Sequence, residues 1–234
     1  MQKLLLICAV LFTTALAAKP PKKKDYLITI QTDYGPMRLI LYNQTPKHKE
    51  NFIKLTEQKF YDGLLFHRII ESFMIQGGDP ASRDAKPGLA LGNGDVGYRI
   101  PAEFAPELFH KKGALAAARD NNPEKASSGC QFYIVQGRVW DDAALETQLA
   151  RITQLNGRPP TEAQKQVYET LGGTPHLDGN YTVFGEVIDG LAVVDSVAKQ
   201  PRNAANRPDK DIRMNVSGQW VKKKKITKQY GFTY

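Results

Sequence analysis

A mainly-β domain organised as an antiparallel barrel is predicted by three features of this sequence. Short apolar runs recur through residues 25–221, each bounded by Gly, Pro, Asp or Asn, a pattern of many short strands. Only two stretches between those runs read as helices of the domain itself. A further stretch, residues 139–173, is polar, helix-rich and too long for an ordinary strand connection, so it reads as an inserted helical hairpin. With 234 residues and 41% apolar content, the chain can bury one substantial core and is short for two.

The elements follow in order. Tyr26 to Thr32 alternates apolar and polar residues, Asp33-Tyr34-Gly35 turns the chain, and Met37 to Tyr42 alternates again, which predicts a hairpin. Thr45 followed by Pro46 reads as an N-cap and first helical position, with Phe52, Leu55 and Thr56 at helical spacing toward Phe60. Strands are expected at Leu64 to Ile70, Phe73 to Gln76, Ala114 to Ala118, Phe132 to Val135, Thr182 to Ile188 and Ile212 to Trp220. Leu191 to Ala198 reads as the second helix, with Leu191, Val194 and Val197 on one side. Within the insertion, Asp141 or Asp142 can cap a helix carrying Leu145, Leu149 and Ile152. Thr161-Glu162-Ala163-Gln164 is a capping box that opens a second helix with Val167 and Leu171, ended by Gly172-Gly173.

The ends of the chain carry different signals. Lys3, the apolar stretch Leu4 to Leu16 and the small-residue pattern Ala15-Leu16-Ala17 predict a secretory signal peptide over residues 1–18. An N-terminal membrane anchor is the alternative, but about 13 apolar residues fall short of the roughly 20 needed to span a bilayer. A lipoprotein would use Cys8, yet Ile7 precedes it where a small residue is expected. Removal of the signal leaves Cys130 as the only thiol, so no intrachain disulfide is available in an oxidising compartment and stability must come from the core. Cys130 itself suits a small apolar position at a strand start better than a reactive one.

The formal charge is +8, or +7 once Lys3 is gone, with lysine runs in the basic linker (residues 19–24) and in a basic C-terminal tail (residues 222–234). Neither run interleaves stacking aromatics, so nucleic-acid binding is not expected, while weak attraction to an anionic membrane surface is compatible with them. His48, His67, His110 and His176 lack ligand-like spacing with Asp, Glu or Cys, so no metal site is expected. Gly77-Gly78 and Gly92-Asn93-Gly94 lack the context of phosphate-binding loops and read as turns.

The most informative stretch is Phe66-His67-Arg68-Ile69-Ile70-Glu71-Ser72-Phe73-Met74-Ile75-Gln76-Gly77-Gly78-Asp79, which sets one arginine beside apolar residues interrupted by a single amide. It holds no nucleophile with an adjacent base. Gly113-Ala114-Leu115-Ala116-Ala117-Ala118-Arg119, Gln131-Phe132-Tyr133-Ile134 and Leu177-Asp178-Gly179-Asn180-Tyr181-Thr182-Val183-Phe184-Gly185-Glu186-Val187 follow in order. Together these segments resemble the signature of cyclophilin-type peptidyl-prolyl cis-trans isomerases, in an exported bacterial type with a helical insertion. The resemblance covers roughly Asp25 to Val221, less the insertion. It implies a closed eight-stranded antiparallel β-barrel capped by two α-helices, a rotamase activity on Xaa-Pro bonds and no cofactor.

By the same resemblance Arg68 is the catalytic residue. Phe73, Met74, Ala118, Tyr133, Leu177 and Tyr181 belong to the substrate-binding wall, and Gln76, Arg119 and Gln131 bond or position the peptide backbone. Taken without the motif, Phe73, Met74 and Leu177 read as ordinary core. The amides of Gln76 and Gln131 are more telling, because an amide in an apolar strand must find a partner or cost free energy. Three positions depart from the best-known family pattern: Tyr133 stands where phenylalanine is usual, His176 where tryptophan is frequent and Tyr181 where histidine is frequent. These changes put rate and substrate preference in doubt, and the lost indole N–H implies weak cyclosporin binding.

The expected partners are proline-containing unfolded or partly folded polypeptides, met by a monomer in a bacterial periplasm, with secretion as the alternative destination. A proline-recognising chaperone or binding module with little turnover is the rival reading, which Arg68 disfavours because a binder needs no donor aimed at the amide. The insertion reads as a cover for apolar surface, a substrate-selecting lid or a docking site for a partner.

Overall fold

A computed structural model describes residues 23–234; the signal segment, Cys8 and most of the basic linker lie outside the described residues. The chain opens with the expected hairpin, β1 (Lys24–Thr32) and β2 (Gly35–Leu41), followed by helix α1 (Pro46–Glu57). Then come β3 (Phe66–Ile70), β4 (Met74–Gly77), a short β5 (Arg99–Ile100), β6 (Ala114–Ala117), a short β7 (Ser127–Ser128) and β8 (Phe132–Val135). The insertion forms α2 (Asp142–Asn156) and α3 (Glu162–Thr170), after which β9 (Val183–Asp189), α4 (Leu191–Ala198), β10 (Asn215–Lys222) and α5 (Lys223–Tyr230) complete the chain.

Eight strands form one antiparallel sheet in the order β10-β1-β2-β9-β6-β8-β4-β3, with β5 and β7 paired separately. The sheet is a half-barrel, which corrects the expectation of a closed one: its outer strands β3 and β10 share no ladder. A single bridge, Leu65 with Arg213, joins the segments that lead into them. The cause is visible in the backbone bonding. β10 pairs with β1 from Asn215 to Lys222, while the free edge of β3 is met by the preceding loop, where Asn206 O accepts from Ile69 N at 2.9 Å.

Side-chain alternation sorts the sheet into two apolar faces. Along β8, Phe132 and Ile134 enter the main core, where Phe52, Tyr61, Phe66 and Phe184 gather, whereas Tyr133 and Val135 join a second cluster on the opposite face. Phe52 stacks on Tyr61 at 4.9 Å and meets Phe132 edge-on at 5.4 Å. Helix α1 packs against β9 and β10, and α4 against β2, β3 and β4. Cys130 is buried in the main core, and burial pushes its thiol up to about 11, the opposite of what a reactive cysteine needs.

Local chemistry differs from expectation at the helix ends. Thr45 occupies the N-cap of α1, yet its side chain makes no capping bond; Glu103 does that work from the far side of the sequence, accepting from Lys47 N at 3.1 Å and His48 N at 3.0 Å. In the insertion Asp141 caps α2 and the Thr161–Gln164 capping box is formed. Leu145, Leu149 and Ile152 are buried, but their partner from α3 is Tyr168, while Leu171 stays exposed. Residues 222–234, read as a basic tail, carry α5, whose Ile226 is buried against Leu27 and Ile40.

Gly78, just past β4, has φ +92°, and a Cβ there would overlap the Cys130 carbonyl oxygen. Gly78→Ala is expected to cost roughly 2 kcal/mol or more in urea denaturation. Because the overlap lies beside Gln131, turnover should fall with it.

Candidate active site

The pairing of β3 with β4 sets Arg68 directly opposite Gln76, and β4 in turn sets Gln76 opposite Tyr133 on β8. All three side chains lie on the face away from the main core. A one-way chain of amides then fixes their orientation. Gln131 donates both Nε2 hydrogens, to Gly92 O at 2.9 Å and Gly94 O at 2.8 Å, so its Oε1 is left to accept from Gln76 Nε2 at 3.2 Å. Gln76 Oε1 consequently faces Arg68 and accepts from Nη1 at 3.1 Å. Among the described residues only Nη1 of the guanidinium is engaged, with Met74 Sδ also near it at 3.9 Å. The Nε and Nη2 donors remain available to a ligand.

Burial pulls Arg68 below its ordinary pKa, but the starting value is so high that it serves as a fixed cation and donor at neutral pH. Its Cζ lies 5.9 Å from the Phe73 ring centroid. Around it the second apolar cluster brings together Met74, Ala118 and Tyr133 with the partly buried Phe73, Leu177 and Tyr181. Tyr181 meets Tyr133 edge-on at 5.9 Å, and His176 stacks on Phe73 at 5.6 Å. Arg119 sits at the rim: its Nε donates to Asn180 O at 2.9 Å, Nη1 to Asp120 O at 2.9 Å, and its guanidinium covers the Tyr181 ring at 4.7 Å. Arg119 therefore braces the loop that carries Tyr181.

Two depressions extend from this cluster. One, of about 760 Å³, lies beside Gln76 and Gln131 and is lined by Gly92, Gly94, Ala118 and Arg119. The other, of about 410 Å³, begins at Tyr181 and ends on the insertion at Ile152, Arg158, Pro159 and Pro160. No group of three or more His, Cys, Asp or Glu side chains suited to a metal ion is present among the described residues. The geometry thus offers one oriented cationic donor over an apolar pocket, with the hydrogen-bonded amides of Gln76 and Gln131 at its edge.

A model of the family described as cyclophilin type peptidyl-prolyl cis-trans isomerase/CLD matches residues 27–218. The chain belongs to this family. As a cyclophilin it is a peptidyl-prolyl cis-trans isomerase. A Staphylococcus haemolyticus protein named as a peptidyl-prolyl cis-trans isomerase is 34% identical over 195 residues, covering 83% of this chain and 91% of that protein. A Streptococcus pyogenes protein named as a bifunctional phosphatase/peptidyl-prolyl cis-trans isomerase is 37% identical over 189 residues, covering 79% of this chain and 37% of that longer protein. A crystal structure of a cyclophilin from Cryptosporidium parvum superposes with a TM-score of 0.62 at 24% identity, covering 84% of this chain and 98% of that one, which speaks to the fold alone.

Sequence reasoning missed part of this cyclophilin's site. The anchors of Gln131 are backbone carbonyls of Gly92 and Gly94, in a segment that read only as a turn. His110, Asp178 and Tyr168 also stand behind the pocket floor, bonded to one another and to Tyr133. They lie 68 and 10 residues apart in pairs, with no spacing that could have marked them as a group.

Proposed function

We propose that this cyclophilin accelerates rotation about Xaa-Pro bonds of exported polypeptides as they fold, with Arg68 stabilising the twisted amide. The uncatalysed barrier is about 18 to 20 kcal/mol because the C–N bond has partial double-bond character. Twisting destroys conjugation and leaves a localised lone pair on the prolyl nitrogen, so a donor placed there stabilises the transition state and not the planar ground state. Arg68 is that donor. Phe73, Met74, Ala118, Tyr133, Leu177 and Tyr181 hold the proline ring, and Gln76, Arg119 and Gln131 position the flanking backbone. The observation that carries this reading is the one-way chain from Gly92 and Gly94 through Gln131 and Gln76, which aims the guanidinium over the apolar cluster.

Magnitudes divide the work. Quickening a process of about 10 to 100 s by four to five powers of ten takes about 5.5 to 7 kcal/mol. One preorganised donor in a water-poor site supplies roughly 3 to 4 kcal/mol. The rest falls to holding the ring while the chain on the other side of the bond turns, and to excluding water. The two depressions give that chain room on either side of the pocket.

Exchange spectroscopy by NMR on a short Xaa-Pro peptide tests the reading: catalytic amounts of protein should broaden or exchange the cis and trans resonances. Binding with no exchange would instead leave a proline-recognising module. Export is supported by the pattern of Lys3, Leu4 to Leu16 and Ala15-Leu16-Ala17. Cell fractionation and N-terminal sequencing of the mature protein should find it outside the cytoplasm and lacking residues 1–18; an unprocessed cytoplasmic protein would refute export.

A further inference from the structure

We propose that the inserted hairpin is wired into the proline pocket: Tyr168 of α3, acting through Asp178 and His110, positions Tyr133 at the pocket floor. The inference rests on reading the second apolar cluster as the proline site. It begins from a difficulty. A phenolic hydroxyl in an apolar pocket is costly unless it is bonded, and Tyr133 is almost wholly buried.

The structure resolves the difficulty with a hydrogen-bonded relay. Asp178 Oδ1 accepts from the His110 backbone N at 2.9 Å and lies 2.8 Å from His110 Nδ1, while Oδ2 accepts from the Tyr168 hydroxyl at 2.6 Å. With the Asp178 carboxylate as acceptor and His110 in its Nδ1–H tautomer, Nε2 is left as an acceptor. The Tyr133 hydroxyl, 2.9 Å away, then donates to Nε2. Its proton is drawn out of the pocket, leaving the ring as an apolar floor that stacks at 6.0 Å on His110 and braces Tyr181. His110 and Tyr168 have no measurable exposure, while Asp178 between them is partly exposed at the edge of the smaller depression, so the His110 and Tyr168 ends of the relay lie where such bonds are strongest.

Tyr168 belongs to the insertion, which packs it against Phe109 of the barrel side. Its ring packs on Phe109 at 5.4 Å within the cluster of Leu145, Leu149 and Ile152, and its backbone O accepts from Trp140 N at 3.2 Å. The base of the hairpin is tied back by Trp140 Nε1 donating to Gly173 O at 2.9 Å and Gly173 N to Arg138 O at 3.0 Å. Any shift of α3 therefore moves the Tyr168 hydroxyl, and with it Asp178, His110 and the pocket floor. Tyr168 and His110 are fully buried, and Asp178 acts in this account through them, so the three are positioning residues.

A double-mutant cycle in the full chain tests it, read as peptide exchange rate by NMR. Tyr168→Phe, which deletes one oxygen, should lower the rate roughly three- to ten-fold, and Tyr133→Phe by a similar factor, whereas adding Tyr168→Phe to Tyr133→Phe should change it by less than about two-fold. Multiplicative losses, or an unchanged rate in Tyr168→Phe, overturn the proposal. The His110 imidazole ¹⁵N–¹H correlation is the second readout: it should move in Tyr168→Phe while the α2 and α3 amide signals stay in place. If those amides move instead and the losses multiply, Tyr168 only holds the hairpin together and the relay is refuted. Failure of the underlying site reading looks different, because Arg68→Ala would then leave exchange intact.

Discussion

Arg68→Ala is expected to slow catalysed Xaa-Pro exchange by about 10²- to 10³-fold while changing peptide affinity far less. The size follows from deleting one preorganised donor in a site whose other contacts hold the proline ring equally well in ground and transition states. Phe73 and Met74 touch the guanidinium but pack chiefly with Ala118, Tyr133, Leu177 and Tyr181 in their own apolar cluster, so the pocket should survive. Gln76 loses the partner of its Oε1, but that amide sits at a half-buried rim where water can replace the lost bond. The loss should therefore appear in turnover and not in the melting temperature.

Arg68→Lys is the informative companion. An ammonium keeps the charge but is a point donor on a flexible stem, whereas the planar fork can bond Gln76 through Nη1 and still direct Nε or Nη2 at a nitrogen lone pair. Lysine should therefore recover less than one-tenth of the lost activity. Exchange spectroscopy with the same peptide measures both variants. Retention of more than about one-tenth of wild-type turnover by Arg68→Ala would end the case for arginine as the main electrostatic contributor and shift the weight to ring-holding and desolvation.

What could be read in the sequence was what adjacent residues decide. Period-two alternation gives the β1–β2 hairpin, and short-range hydrogen bonding gives the cap at Asp141 or Asp142, which falls to Asp141, and the Thr161–Gln164 box. Features that depend on distant partners were hidden. Glu103 replaces the Thr45 side chain at the start of α1 because the fold carries a carboxylate there, and Tyr168 replaces Leu171 in the hairpin core because its hydroxyl reaches Asp178. The open edge of the sheet has the same origin, since it depends on where Asn206 meets Ile69. The motif names Arg68, Gln76 and Gln131, but only the geometry shows the direction in which their hydrogen bonds run.

Lowering the pH from 6.5 to about 4 is expected to remove about 3 kcal/mol of folding stability through His67 alone, at about 1.4 kcal/mol per pH unit. His67 lies on β3 beside Arg68 and is only 4% exposed; the Leu65 backbone approaches its ring, but neither ring nitrogen reaches a well-formed hydrogen bond among the described residues. Burial pulls its pKa down to about 4; the nearby Asp79 carboxylate opposes this incompletely and Arg68 adds to it. Between the two pKa values the unfolded chain holds a proton there that the folded chain does not, so acid favours unfolding. The contribution is whole above pH 6.5, shrinks as pH falls and is gone below about 4. His48, lowered chiefly by burial, acts in the same direction. Urea titrations at pH 7.5, 5.5 and 4.5 on wild type and His67→Leu separate the two histidines. The leucine variant, free of two unpaired buried nitrogens, should be at least as stable at pH 7.5 and should lose less on acidification. Parallel decline of the two proteins would show that His67 does not stay neutral in the folded state. For a protein proposed to work outside the cytoplasm, where ambient pH reaches it directly, this places the acid limit of the fold one residue from the proposed catalytic arginine.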